Sequence, residues 1–137
     1  MQSANGEPNL SGIPILVVED EITARLVLVK MLRQLGMVRV ELAMDGDEAM
    51  AATMRIHPAL IFCDLHMRPK DGLTFVTELR FTAPPVVRNT PVVMVTAETR
   101  ETARTVSEQL HISSYLVKPP KLATVRAAVE KALGVTL

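Results

Sequence analysis

The chain predicts an α/β domain built on one doubly wound parallel sheet of five strands, with helices on both faces. Three observations predict it. From Ile13 onward, a short apolar run followed by a longer segment of helical periodicity recurs five times. Three of the runs, Ile15-Leu16-Val17-Val18, Leu60-Ile61-Phe62-Cys63 and Val92-Val93-Met94-Val95, are continuously apolar, as strands covered on both faces must be. Finally, 137 residues with 48% hydrophobic and 22% charged side chains suit one soluble core that needs no disulfide or metal staple.

The strand candidates are residues 14–18, 39–44, 59–63, 91–95 and 114–117, and the helix candidates 21–35, 47–56, 72–81, 98–110 and 120–133. The segment at 39–44 alternates apolar with polar, and 114–117 is short with a polar start, so these two are expected at the sheet edges. In the last helix, Leu122, Val125, Val129 and Leu133 form an apolar stripe. Pro119 and Pro120 suit its entry and Gly134 its exit. The fourth helix candidate carries only Ala103, Val106 and Leu110 as apolar residues and should be the least firmly packed element. Residues 1–12, rich in Gly, Ser, Asn and Pro, read as a flexible tail, leaving 13–137 as the folded domain. This pattern resembles the flavodoxin-like fold. The edge assignment comes from the residues; the full strand order 2-1-3-4-5 is what the resemblance implies.

Composition narrows the function. Fifteen Lys and Arg balance fifteen Asp and Glu, so no basic excess points to nucleic acid or to a membrane surface. Cys63 is the only cysteine, which excludes an intrachain disulfide. The opening MQSANGEPNLSG has no apolar core of a signal peptide, and no run reaches the 18 apolar residues of a spanning helix. A cytoplasmic protein is expected.

The chemistry sits after the strands. Glu19-Asp20 follows the first, Asp64 the third, Thr96 the fourth and Lys118 the fifth, all on the carboxyl edge of a parallel sheet, where ligands bind in this architecture. Crowded carboxylates raise a pKa or recruit a cation, and Mg²⁺ suits a few carboxylates, a carbonyl and waters. One carboxylate is then free to attack phosphorus as nucleophile, with an ammonium and a hydroxyl to receive the phosphoryl oxygens.

The segments ILVVED, LIFCDLHM, VVMVTAE and YLVKPP, in that order and each on its strand, resemble the response regulator receiver family of bacterial two-component signalling, of which the CheY-like chemotaxis regulator is the simplest member. The resemblance spans residues 13 to 134. It implies that Asp64 is the phosphoacceptor, that Glu19, Asp20 and Asp64 hold Mg²⁺ with the backbone carbonyl of His66, and that Thr96 and Lys118 contact the phosphoryl group. It also implies a cis Lys118–Pro119 bond. Thr96 and Tyr115 would act as the switch pair that alters the face of the fourth helix, fifth strand and fifth helix. The phosphoryl donor would be a histidine kinase or a histidine phosphotransfer protein, and the chain a signalling phosphoacceptor rather than a turnover enzyme.

Two departures from the family pattern stand out. The usual Met-Pro after the acceptor is Met67-Arg68-Pro69-Lys70, which shifts the proline by one place and predicts a changed loop shape. Before Tyr115, His111-Ile112 replaces a Gly-Ala pair, so a left-handed turn there would lack its glycine. His66 and Glu98 are expected at the mouth of the site. His57, His66 and His111 lack metal-ligand spacing through their side chains, and Cys63 reads as a small buried hydrophobe.

In the first helix, Ala24, Val27, Leu28, Met31, Leu32 and Leu35 make the face that covers the sheet. Ile22, Leu26 and Val29 form a second stripe, read as a partner or homodimer surface, or alternatively as packing beneath the fifth helix. Two other functions compete. A degenerate receiver would serve only as an interaction module, which the intact Glu19, Asp20, Asp64, Thr96 and Lys118 disfavour. An aspartate-based phosphatase would show Asp-x-Asp after the first strand, which this chain lacks.

Overall fold

Five parallel strands form one sheet in a computed structural model that describes residues 9–67, 70–97 and 108–137. They are β1 (Ile15–Val18), β2 (Val40–Ala43), β3 (Leu60–Cys63), β4 (Val92–Thr96) and β5 (Ser114–Val117), in the order β2-β1-β3-β4-β5. The helices are α1 (Ile22–Gln34), α2 (Gly46–Ile56), α3 (Gly72–Phe81), a single turn α4 (Pro85–Arg88) and α5 (Leu122–Leu133). β2 and β5 are the edges and are only partly covered, whereas every residue of β1, β3 and β4 is buried. This is the flavodoxin-like order, with alternate strand residues feeding two cores.

One core joins Leu16, Val18, Ile61, Cys63, Val92 and Met94 to the buried faces of α2 and α3, including Ala49, Phe75 and Leu79. The other joins Ile15, Val17, Leu60, Phe62, Val93 and Val95 to Leu28 and Leu32 of α1 and Val125 and Val129 of α5. Each fully buried branched or aromatic side chain contributes about 1.5–3 kcal/mol against exposure. With the interior so apolar, polar groups concentrate at the sheet ends.

Helix ends follow their capping chemistry. The Asp45 carboxylate accepts from the Asp47 and Glu48 amides at the start of α2, and Asp71 accepts from Thr74 N at 2.8 Å to start α3. Gly134 ends α5 in the left-handed region, as its position predicts.

Several expectations shift. α5 begins at Leu122 rather than at 120, because Pro119 and Pro120 belong to the loop and Lys121 is the N-cap. Within its stripe Val125 and Val129 are buried, but Leu122 is exposed and Leu133 half-buried. Thr96 completes β4 instead of following it. In α1 the sheet face centres on Leu28 and Leu32, and Val27 is 39% exposed on its rim. Leu10, placed in the tail by composition, is buried in the second core. Of the fourth helix candidate, 108–110 is helical and Leu110 is buried, while Ala103 and Val106 lie outside the described residues. The turn α4 was not expected; Pro84 and Pro85 start it, with proline at its first helical positions.

The most demanding backbone contact is at Gly72. Its N–H donates to Leu65 O at 3.0 Å, and a Cβ there would lie 1.9 Å from the Asp64 carbonyl oxygen, a backbone atom with little freedom to move. Gly72→Ala should therefore cost about 1–3 kcal/mol or more by overpacking, measured as a lower urea midpoint with unchanged slope.

Candidate functional site

Sheet register carries the site residues to one edge. Val18 pairs with both Ala43 and Cys63, Cys63 with Met94, and Thr96 with Val117. The ladder then extends one residue further on three strands: Glu19 N donates to Ala43 O at 2.9 Å, Asp64 N to Val18 O at 3.0 Å and Lys118 N to Thr96 O at 2.8 Å. These bonds fix the main chain of each residue, so its side chain starts from the rim of the sheet rather than from a free loop.

Glu19 and Asp64 are buried, at 4% and 7% exposure, whereas Asp20 is exposed. Oxygens of all three carboxylates lie within 4.8 Å of one another. The Lys118 ammonium donates to Glu19 Oε1 and, at 3.1 Å, to Asp64 Oδ2. Asp64 Oδ1 also accepts from the His66 amide at 3.3 Å, and Arg25 Nη1 donates to the Glu19 carbonyl at 3.3 Å. Glu19 Oε2 is buried with no hydrogen-bond partner among the described residues. Such an atom costs free energy unless something polar reaches it.

The electrostatics follow from burial. Desolvation pushes the Glu19 carboxyl from 4.5 up to about 7; the bond from Lys118 opposes this, and neighbouring Asp64 adds to it. Burial pulls the Lys118 ammonium down, but its bonds to Glu19 and Asp64 outweigh that and hold it above the ordinary lysine value. Burial likewise pushes the Cys63 thiol up, in keeping with a small packed hydrophobe.

The structure thus brings Glu19, Asp20, Asp64 and Lys118 together. Thr96 is fully buried at the end of β4, beside the Lys118 main chain. His66 is exposed at the mouth. The Lys118–Pro119 peptide is cis. Tyr115 is half-buried, with its side chain against the α2–α3 core. His111 has φ 53°, so the left-handed turn forms on a histidine in place of glycine. On α1, Ile22 and Leu26 are about three-fifths exposed and Val29 is half-buried, so the first two do not pack beneath α5. Arg68, Pro69 and Glu98 lie outside the described residues.

Three features had no clear signal in the sequence. Lys70 ties the loop after β3 to two helices: its ammonium meets Asp47 at 3.0 Å and Glu78 at 2.9 Å, and its carbonyl accepts from Gly46 N. Cys63 Sγ lies 3.3 Å from the Asp64 carbonyl, backing the loop from inside. A cavity of about 320 Å³ opens beside the carboxylates, walled by α1 residues Ala24, Val27 and Leu28 and by Pro119 and Pro120. Among the described residues no helix is long and apolar enough to cross a membrane.

Comparison with known proteins agrees with this geometry. Residues 15–130 match the family model of the response regulator receiver domain. A probable chemotaxis protein CheY from Rhizobium etli is 29% identical over 122 residues, which is 89% of this chain and 93% of that protein. A protein-glutamate methylesterase/protein-glutamine glutaminase from Archaeoglobus fulgidus is 33% identical over 77% of this chain, but the match spans only 29% of that longer protein. Among solved structures, the receiver domain of a Pseudomonas aeruginosa sensor histidine kinase is 32% identical with a TM-score of 0.79, covering 90% of this chain and 98% of its own; it holds a magnesium ion in its active-site cleft. The Vibrio cholerae chemotaxis protein CheY4 has 28% identity and a TM-score of 0.79 over 88% of this chain and 98% of its own. Four strand ends that deliver their polar residues to one rim, and a family match over nearly the whole folded chain, lead to one conclusion: the chain belongs to the response regulator receiver domain family of two-component signalling.

Proposed function

We propose that the chain is a signalling phosphoacceptor: Asp64 takes a phosphoryl group from a phosphohistidine, and the new charge alters a protein-binding face. The observation that carries this reading is the Lys118 ammonium shared between Glu19 and Asp64, residues 99 and 54 positions away along the chain. Such a convergence of one cation and three acids suits phosphoryl transfer, where catalysis is mainly positioning and charge stabilisation.

Glu19, Asp20 and Asp64, with the His66 carbonyl, would hold a divalent cation. The residues fit one, because the three carboxylates converge and Glu19 Oε2 is a buried acceptor that awaits a positive partner. Mg²⁺ bound there would screen the charge between carboxylate and phosphate. An Asp64 oxygen attacks phosphorus, a P–O bond forms, the P–N bond to the donor imidazole breaks with its electron pair going to nitrogen, and the imidazole, already protonated on its other ring nitrogen, leaves neutral. Lys118, already within reach of Asp64, then neutralises a phosphoryl oxygen, and Thr96 donates its hydroxyl to another. Movement of Thr96 and the Tyr115 ring would pass the change to β5, α5 and the helix ending at Leu110, a population shift driven by a new local charge. The donor is a histidine kinase or a histidine phosphotransfer protein, docked on the α1 surface of Ile22, Leu26 and Val29. The chain would turn over no substrate beyond its own acyl phosphate.

Incubation with acetyl phosphate and Mg²⁺ should add one phosphoryl group by intact mass. Asp64→Asn should remain unlabelled, and so should the unaltered chain in EDTA. Full labelling of Asp64→Asn would remove Asp64 from its role. For the docking surface, Leu26→Glu should leave the melting temperature and acetyl phosphate labelling unchanged, yet slow transfer from a phosphorylated histidine donor about tenfold, roughly 1.4 kcal/mol of docking free energy. An unchanged transfer rate would clear α1 of that role.

A further inference from the structure

The amino edge of the sheet, opposite the carboxylates, carries a second concentration of charge of the other sign. A cavity of about 300 Å³ lies there, lined by Arg80, Asn89, Pro91, His111, Ser113 and Lys131, with Ala132. Pro91 immediately precedes β4 and Ser113 immediately precedes β5, while Lys131 comes from the last turn of α5. A strand the length of β4 separates the two edges, roughly 15 Å at 3.3 Å per residue. Among the described residues, no acidic side chain lines this basin.

Arg80 is its unusual member. The residue is nine-tenths buried near the end of α3, and its guanidinium is held in a fixed pose. Nε donates to Leu110 O at 2.9 Å, and Nη1 donates to Arg88 O and Thr90 O, each at 2.8 Å. These acceptors are neutral carbonyls. Among the described residues no carboxylate pairs with Arg80 or Lys131, and no hydrogen bond engages Arg80 Nη2. A buried arginine is ordinarily matched by an anion, because carbonyl dipoles only partly replace its hydration. Burial accordingly pulls the Arg80 pKa down.

The neighbours complete a donor set. Lys131 is exposed and free to swing over the opening, His111 is exposed and presented by its left-handed backbone, and the Ser113 hydroxyl and Asn89 amide add neutral donors. Donors that come from α3, α5 and the loops before β4 and β5 approach from several directions. That arrangement suits a tetrahedral dianion better than a flat monoanion, and charge-assisted bonds to guanidinium and ammonium are the stronger kind. The volume leaves room for a phosphate group with a small organic substituent.

We propose that this basin, lined by the buried Arg80 together with Lys131, His111 and Ser113, is a binding site for a small oxyanion of the phosphate type, free or carried on a small metabolite. Because Arg80 also joins Leu110, Arg88 and Thr90, an occupied site would brace the amino end of β4 and the end of the helix at Leu110 from the side opposite the carboxylates.

The test is a titration of the chain of residues 1–137 in EDTA, followed by amide resonances, with inorganic phosphate and separately glycerol 3-phosphate, each against chloride at equal ionic strength. Saturable shifts at Asn89, Ser113 and Lys131, with a Kd on the order of 1 mM, are expected for the unaltered chain. Lys131→Gln should weaken them about tenfold. His111→Asn, which tolerates the same left-handed backbone, should weaken them too. Both substitutions lie on exposed residues, and unchanged melting temperatures would show that the fold is intact. Tighter binding of glycerol 3-phosphate would place the group on a metabolite, and equal or weaker binding would mark the free ion; either upholds the site. Shifts no larger than those with chloride, shifts confined to the Asp64–Lys118 edge, or shifts unaltered in Lys131→Gln would overturn it.

Discussion

The contact on which the rest depends is the Lys118 ammonium wedged between the carboxylates of Glu19 and Asp64. Both acids are buried, and two like charges in a low-dielectric rim repel strongly unless a cation stands between them. One lysine neutralises one of them. The remaining negative charge, together with Glu19 Oε2, which has no partner among the described residues, leaves the rim short of positive charge. Protonation of Glu19 and capture of a divalent cation are the two ways to relieve it. The raised pKa of Glu19 and the convergence of three carboxylates are thus two expressions of one constraint.

Parallel-sheet geometry makes this crowding affordable. β1 and β3 are adjacent and in register, so the residues that follow them emerge side by side without any loop having to bend toward the site. Gly72 and Cys63 then close the back of Asp64, and Lys70 anchors the outer part of the loop to α2 and α3. Such supports hold the rim charges on a rigid frame, while the neighbouring edge strand β5 is only partly buried. Tyr115 sits on that partly covered edge, against the α2–α3 core.

The central strands were legible because burial on both faces demands unbroken apolar runs, and the site because its polar residues come directly after those runs. The edge strands were legible from their polar interruptions. Other features depend on distances between segments remote in the chain. Val27 fits the apolar spacing of α1 yet lies on the rim of a cavity, since the neighbouring wall is made by Pro119 and Pro120 rather than by a helix. Arg80 reads as an ordinary charge in the last turn of α3, and only the folded positions of Leu110, Arg88 and Thr90 reveal why it is buried. Leu10 looked like tail because its neighbours are polar, but a single apolar side chain suffices to dock a segment on the core. Carboxylate crowding pointed to a raised pKa, but that burial of Glu19 is its larger cause shows only in the folded chain.

The most direct measurement is the melting temperature in Mg²⁺ and in EDTA, taken at pH 8 and at pH 5.5. Glu19 is raised from 4.5 to about 7 in the folded metal-free chain, so its protonation favours the fold fully below 4.5, and this contribution is lost as pH rises through about 7. At pH 8 the Glu19 carboxylate is ionised and a cation binds there without displacing its proton. Mg²⁺ should then raise the melting temperature by several degrees. At pH 5.5 it must compete with a proton on Glu19, and the gain should be smaller. Identical melting in Mg²⁺ and EDTA at both values, or a larger gain at pH 5.5, would contradict the claim that charge crowding at this rim creates a divalent-cation site.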